Sequence, residues 1–459
     1  ERLEMKLYKN SESKIHIMYL FVYFCVFLGF AVGLFHYLIT SCGSLPLMDY
    51  WKGGSSYLNH ILHEPFTLDY IMSLPHQIHW NVLANLLDYL FVRGFKCNNY
   101  AYVFAGMLVV YVITIIIIVY YNRMLKCNNI IMDFCGVIIC IIPIYNLNQW
   151  EILTLYCSVF FMLRILLYIT MWIWLDRIMK SEDSICKAIV FGALSFLIVM
   201  FASQAYYPGF SASICGAILF NTIINKKINK SHIIIFVSQI FSVAVCFLTT
   251  ALPSVMGENS IALSVMLKDY FRGFLFMLAA TVVPNSVQTT YETCYLIGGF
   301  ILIITLGAVY IFFKKQIYKR TYLPIILMMY ALISIFVIIS GRMYTYGFET
   351  LGSSRYVVET TLGVMGVMQI YWIDISSEKN ANCVTNVICI ASITSAILFA
   401  NNIEWKIAPY RKAYNDNIIY YAENIDEATD DELAIFQAPP EDVRELVQFM
   451  KENHLCIWR

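Results

Sequence analysis

Long apolar runs, rather than alternation of polar and apolar positions, dominate the pattern of this chain. A helix needs about 20 mainly apolar residues to cross a bilayer. Eleven runs approach or exceed that length: 15–40, 101–121, 129–146, 152–175, 187–204, 209–225, 232–251, 294–313, 322–341, 356–374 and 381–400. They predict an all-α polytopic membrane protein with about 11 transmembrane helices. The first run is too long for a signal-peptide core and no small-residue cleavage site follows it, so it is expected to remain as a span.

The polar connections alternate in charge. Arg2, Lys6, Lys9 and Lys14 precede the first run, Arg123 and Lys126 follow the second, and Arg177, Lys180 and Lys187 bracket the junction of the fourth and fifth. Lys226, Lys227 and Lys230, then Lys314, Lys315, Lys319 and Arg320, then Lys379 continue the same phase. Short loops rich in Lys and Arg stay cytoplasmic. The N-terminus is therefore expected inside, and an odd number of spans puts the C-terminal tail outside.

All the long connections then fall on the outer side. Residues 41–100 carry Asp49, Tyr50, His60, His63, Glu64, Asp69, His76, His79 and Asp88, interrupted by Gly53, Gly54, Pro65 and Pro75. Within them Trp80, Leu83, Leu86, Leu87, Leu90 and Phe91 have helical spacing over too short a stretch to span, which predicts an interfacial helix. Residues 252–293 contain a short apolar run, Gly273 to Val283, closed by Pro284, which suits a re-entrant or interfacial helix. The chain thus divides into a membrane domain, 1–401, and an extracytoplasmic segment, 402–459. In the latter, Leu446, Val447 and Met450 share one face of a helix that starts after Pro439, as expected for a small cap on the outer loops. No fixed-period repeat and no pair of matching broken helices is visible, which argues against an inverted-repeat transporter.

Composition sharpens the picture. Hydrophobic residues are 59% and charged residues 14%, against roughly 45–50% and 25% in soluble domains. Lys+Arg 31 balances Asp+Glu 31, so no basic surplus points to nucleic acid. Residues 402–459 hold 12 acidic and 6 basic side chains, a net of −6, which leaves +6 for the first 401. The 14 cysteines sit mostly as single residues in apolar runs, form no framework and show no metal-ligand spacing, so structural zinc is not expected; no cofactor is expected.

A charge at membrane depth costs about 2.5–3.5 kcal/mol on insertion scales, so those retained there have a role. Arg164 lies mid-span and reads as an anchor between helices. More informative are the polar groups at the outer ends of the spans: Asn146, Asn148, Gln149, Trp150 and Glu151, then Gln204, Tyr206 and Tyr207, then Arg342, Glu349, Arg355 and Glu359. With Asp49 they form a polar set, holding both acids and cations, at the outer boundary. Sugar transfer from a lipid phosphate needs one carboxylate as base and cationic donors for the leaving phosphate. A glycoside hydrolase would instead need two carboxylates, one of them protonated.

The order of several segments resembles the GT-C membrane glycosyltransferases of bacterial surface-polysaccharide pathways, including serotype-converting glucosyltransferases of O-antigen modification. The segments are LPLMDYW, LPHQIHWNVLANLLDYLFVRGF, NLNQWEILTL, GRMYTYGFETLGSSRYVVET and PPEDVRELVQFMKENHL. The family often has Arg after the His of the first outer loop, where this chain has Trp80. The resemblance implies a GT-C-like fold in the bacterial inner membrane. It implies an inverting hexosyltransferase that moves a sugar from a polyprenyl phosphate to a lipid-linked or surface glycan, without a metal. Asp49 is then the candidate base, with Glu64 and Asp69 in reserve. Arg342 and Arg355 are the candidate donor-phosphate ligands, and His76, His79, Gln149, Glu151 and Tyr356 are the candidate substrate contacts. The alternative for the two arginines is anchoring at the headgroups in partnership with Glu349 or Glu359. An O-antigen polymerase or ligase, or a flippase for a lipid-linked sugar, is the competing function. A late outer loop as short as 342–355 disfavours the polymerase or ligase, and the scarcity of charge at membrane depth disfavours the flippase.

Overall fold

The computed structural model describes residues 2–52, 54–67, 82–125, 129–181, 184–203, 206–249, 263–377 and 383–458. It is 86% helical, and the described residues hold no strand. The helices are α1 (Arg2–Ser41), α2 (Gly54–His63), α3 (Val82–Phe95), α4 (Asn99–Met124), α5 (Ile130–Ile141), α6 (Trp150–Thr154), α7 (Ser158–Lys180), α8 (Ile185–Ala202) and α9 (Tyr207–Asn225). They continue with α10 (Lys230–Thr249), α11 (Leu263–Ala280), α12 (Tyr291–Lys314), α13 (Leu323–Tyr346), α14 (Val357–Ser377), α15 (Cys383–Glu423), α16 (Asp430–Leu433) and α17 (Pro440–Glu452).

Among the described residues, ten helices are long and apolar enough to cross a membrane. Helix α14 adds one more of spanning length, 21 residues or about 31 Å. It is less apolar because it carries Glu359, Gln369 and Asp374, and every residue from Val357 to Ile375 is buried. Its neighbours α5, α12, α13 and α15 surround it, so protein and not lipid meets its polar groups. Two glycines bring α14 against α13: a Cβ on Gly363 would stand 2.5 Å from Ala331 Cβ, and one on Gly366 2.4 Å from the Pro324 carbonyl oxygen. Close backbone approach at small residues drives helix packing where lipid is as apolar as the side chains.

Two ends of the bundle can be told apart by their hydrogen bonds. At one end Asp176 accepts from the Lys180 ammonium at 2.8 Å and the Tyr322 amide at 2.6 Å, while Arg320 Nε donates to the Met124 carbonyl at 2.6 Å. Tyr322 also donates to Asn221 at 2.6 Å, and Tyr23 donates to Asp133. The basic connections after α4, α7, α9 and α12 therefore gather at this end.

At the opposite end, residues 41–67 and 82–100 and the tail build a second hydrophobic core. Trp51 meets Phe436 edge-on at 4.5 Å, and Val443, Leu446, Val447 and Met450 of α17 are buried with Leu58, Ile61 and Val92. Arg93 on α3 donates to the carbonyls of Ile61, Leu62 and Glu64, covering the C-terminal oxygens that α2 leaves without helical partners. Helix α15 reaches this core without a break. It has 41 residues, about 60 Å, roughly twice the hydrocarbon thickness, and it crosses position 401 as continuous helix. The apolar run at 273–283 forms the second half of α11 and the turn that follows it. The first half carries Lys268, Asp269 and Arg272 and is largely exposed, because charge ends contact with the apolar interior without ending a helix.

Candidate functional site

Pro143 lacks an amide hydrogen, and α5 gives way there to two tight turns, Ile142–Tyr145 and Leu147–Gln149, followed by α6. Non-helical backbone at the edge of a bilayer needs partners supplied by protein, and asparagines supply them here. Asn401 of α15 donates to the Tyr145 carbonyl at 3.0 Å and accepts from the Leu147 amide at 2.7 Å. Asn146 donates to the Thr281 carbonyl at 2.7 Å, and Asn148 to the same oxygen at 3.3 Å. The turn is thereby pinned between α11 and α15.

On the facing side, α13 ends at Tyr346 and Gly347 follows with φ +91, a backbone setting that a side chain would strain. The turns Phe348–Gly352 and Ser354–Tyr356 then lead into α14. Two segments 202 to 204 residues apart in the chain meet at this point. Glu151 accepts from Ser353 Oγ at 3.0 Å and from Arg355 Nε at 3.1 Å, while its own amide donates to Ser354 Oγ at 3.1 Å. Glu151 is almost buried and Arg355 is 40% exposed. Tyr356 is buried beside them and feels the charges of Arg342, Arg355 and Glu151. The Arg342 guanidinium stands 5.0 Å over the Tyr346 ring. Five sequence candidates, Glu151, Arg342, Arg355, Tyr356 and the neighbouring Gln149, thus belong to one end of the bundle. Gln149 itself turns inward: its amide nitrogen donates to the Ile144 carbonyl at 2.7 Å, and its oxygen, buried and without a partner among the described residues, borders a cavity of about 20 Å³ shared with Thr361 and Met162.

Glu359 belongs to a different partnership from the one considered for the two arginines. It is fully buried, takes a hydrogen bond from Arg164 and another from Tyr330. The Arg164 guanidinium lies 3.8 Å from the centre of the Tyr206 ring, a favourable placement for a desolvated cation. Arg355 is paired with Glu151, and Glu349 accepts from Tyr291 at 3.2 Å. Nearby, Arg411 lies 3.7 Å over Trp150 and pairs with Glu404 at 2.5 Å, which ties α15 to the same corner.

Asp49 has its backbone in the turn Met48–Trp51, next to buried Tyr50 and Trp51; its side chain lies outside the description. His76, His79 and Asp69 lie outside the described residues. Glu64 is exposed and paired with His60 at 2.5 Å. Among the described residues no group of three or more His, Cys, Asp or Glu is placed to hold a metal ion.

One carboxyl group that the sequence analysis noted in the first outer loop was not among its site candidates. Asp88 on α3 accepts from Tyr57 at 2.8 Å, and burial pushes its carboxyl up to about 6 against that hydrogen bond. Both Asp88 and the Glu151–Arg355 pair lie within electrostatic reach of Cys157. The only signal in the sequence was an acid at the centre of an otherwise apolar short helix. A carboxyl with this affinity for protons exchanges one near neutral pH, as a general base or acid must.

By fold the chain is an all-α, multi-pass membrane protein. No protein-family model matches it, and no curated protein matches it.

Proposed function

We propose that the protein is a membrane glycosyltransferase that transfers a sugar from a polyprenyl phosphate to a lipid-linked or cell-surface glycan on the outer side of a bacterial inner membrane. The N-terminus is cytoplasmic, in keeping with the basic connections gathered at one end of the bundle. What carries this reading is the meeting of Glu151, Arg355, Arg342 and Tyr356 at the other end. There a lipid phosphate keeps its tail in hydrocarbon while its headgroup faces two guanidinium groups. Guanidinium suits a leaving phosphate because its planar fork bonds two oxygens and keeps its charge throughout the reaction. Glu151 holds Arg355 in place, and a bound phosphate shares that arginine with it. Asp49 takes the proton from the acceptor hydroxyl as the oxygen attacks the anomeric carbon and the phosphate departs.

The experiment is transfer in membrane vesicles from a panel of polyprenyl-phosphate hexoses to endogenous lipid-linked glycan. Arg342→Lys and Arg355→Lys should each lower transfer at least tenfold, about 1.4 kcal/mol of transition-state stabilisation. Asp49→Asn should nearly abolish it, since a positioned base contributes roughly 10²–10⁴. Absence of transfer with every donor, or full activity in both lysine variants, would reject the reading.

A further inference from the structure

Two cysteines at opposite ends of the chain are brought together in the second core. Cys97 follows α3, and Cys456 opens the last turn of the tail, Cys456–Trp458. The Cys456 amide donates to the Lys96 carbonyl at 2.7 Å, and Cys456 Sγ lies 3.1 Å from the Cys97 carbonyl oxygen. With ordinary bond lengths, the first of these contacts holds the two Cα atoms within about 7 Å, the upper limit of the range a disulfide spans. Both residues are buried, at 0% and 2% exposure. Both thiols also lie within electrostatic reach of the Tyr102 hydroxyl. Cys97 Sγ is in addition 2.6 Å from the Tyr50 hydroxyl, so it is directed into the core and away from solvent.

We infer that Cys97 and Cys456 form a disulfide that closes the tail onto the outer loop. The inference rests on the orientation proposed above, because only an extracytoplasmic core meets oxidising conditions. The oxidant is a protein disulfide of that compartment. One thiolate attacks it to give a mixed disulfide, and the second thiolate displaces the carrier, which leaves with both electrons as a dithiol. Two protons pass from the cysteines to the carrier. The bond joins residues 359 apart in the chain, so it fastens the last helix of the tail to α3 by a link that unfolding of either cannot open.

The test uses the full-length protein, prepared without reductant, alkylated under denaturing conditions and digested. Mass spectrometry should find the Cys97 and Cys456 peptides joined, two hydrogens lighter than their sum, and separated by dithiothreitol. Cys97→Ser should expose Cys456 to alkylation, and Cys456→Ser should expose Cys97. Orientation is read separately, by alkaline phosphatase and fluorescent-protein fusions at the C-terminus. An active phosphatase fusion together with complete alkylation of both native cysteines would overturn the disulfide and leave the orientation standing. A fluorescent and phosphatase-inactive pair of fusions would overturn the orientation and the disulfide with it. A crosslink from either cysteine to a different one would also overturn the pairing.

Discussion

Removing either partner of the Arg164–Glu359 pair should harm the protein far more than removing both. Each side chain is fully buried, and Glu359 is additionally bound by Tyr330. Substituting Glu359→Met leaves a guanidinium without its counter-charge among Phe161, Tyr168 and Tyr206. Breaking a buried pair in this way costs about 3–5 kcal/mol, whereas replacing both partners with apolar residues of similar volume is often neutral or stabilising. In the double variant Arg164→Met/Glu359→Met, Tyr330 still loses an acceptor, a cost of about 1–3 kcal/mol for a buried hydroxyl. The expected order of stability is wild type, then the double variant, then both single variants. For a chain of 459 residues melting as one unit, entropy of about 2 cal/mol/K per residue makes 1 kcal/mol worth about 1 °C. The single variants should therefore melt about 3–5 °C below wild type in detergent, and the double variant about 1–3 °C below. A double variant that melts at the sum of the two single losses would show that the charges do not depend on each other, and the reasoning would fail.

Two further outcomes follow from the geometry. The Asp88 carboxyl, raised from 3.8 to about 6 by burial, holds a proton in the folded state that the unfolded chain has already lost between those values. Unfolding free energy therefore falls as pH rises through that window and stays lower above it, by on the order of 1–3 kcal/mol. Asp88→Asn should flatten this dependence and melt higher than wild type at pH 7.5; identical pH profiles for the two proteins would count against the shift. Gly366→Ala drives a Cβ to 2.4 Å from the Pro324 carbonyl oxygen. Because that atom is backbone, the helices must separate, at about 1–3 kcal/mol. Gly29→Ala, with nothing within 4 Å of its new atom, is the matched control, and equal melting temperatures for the two variants would refute close packing at Gly366.

The all-α, multi-pass architecture and the placement of its long apolar helices were legible in the sequence because the bilayer imposes a length and a polarity on every crossing segment, and those constraints act locally. The helical spacing of Leu446, Val447 and Met450 likewise announced a one-sided helix before any partner was known. Which groups meet was another matter. Glu151 and Arg355 were both visible as outer-end polar residues, but their pairing depends on how the 142–150 turns fit against the start of α14, and the sequence has no record of that approach. The same is true of Glu359, four residues after Arg355 in the chain, which instead pairs with Arg164 of α7 inside the bundle. Helix α14 shows the limit most clearly. Its polar residues Glu359, Gln369 and Asp374 are accommodated because α5, α12, α13 and α15 pack around it and bury them. Asp88 was placed on a short helix by its spacing, whereas its affinity for protons comes from burial, against the Tyr57 hydrogen bond, and only the folded chain supplies that burial. Local constraints of length and period are written along the chain; desolvation and charge pairing are set by neighbours distant in sequence, and the tertiary structure alone decides them.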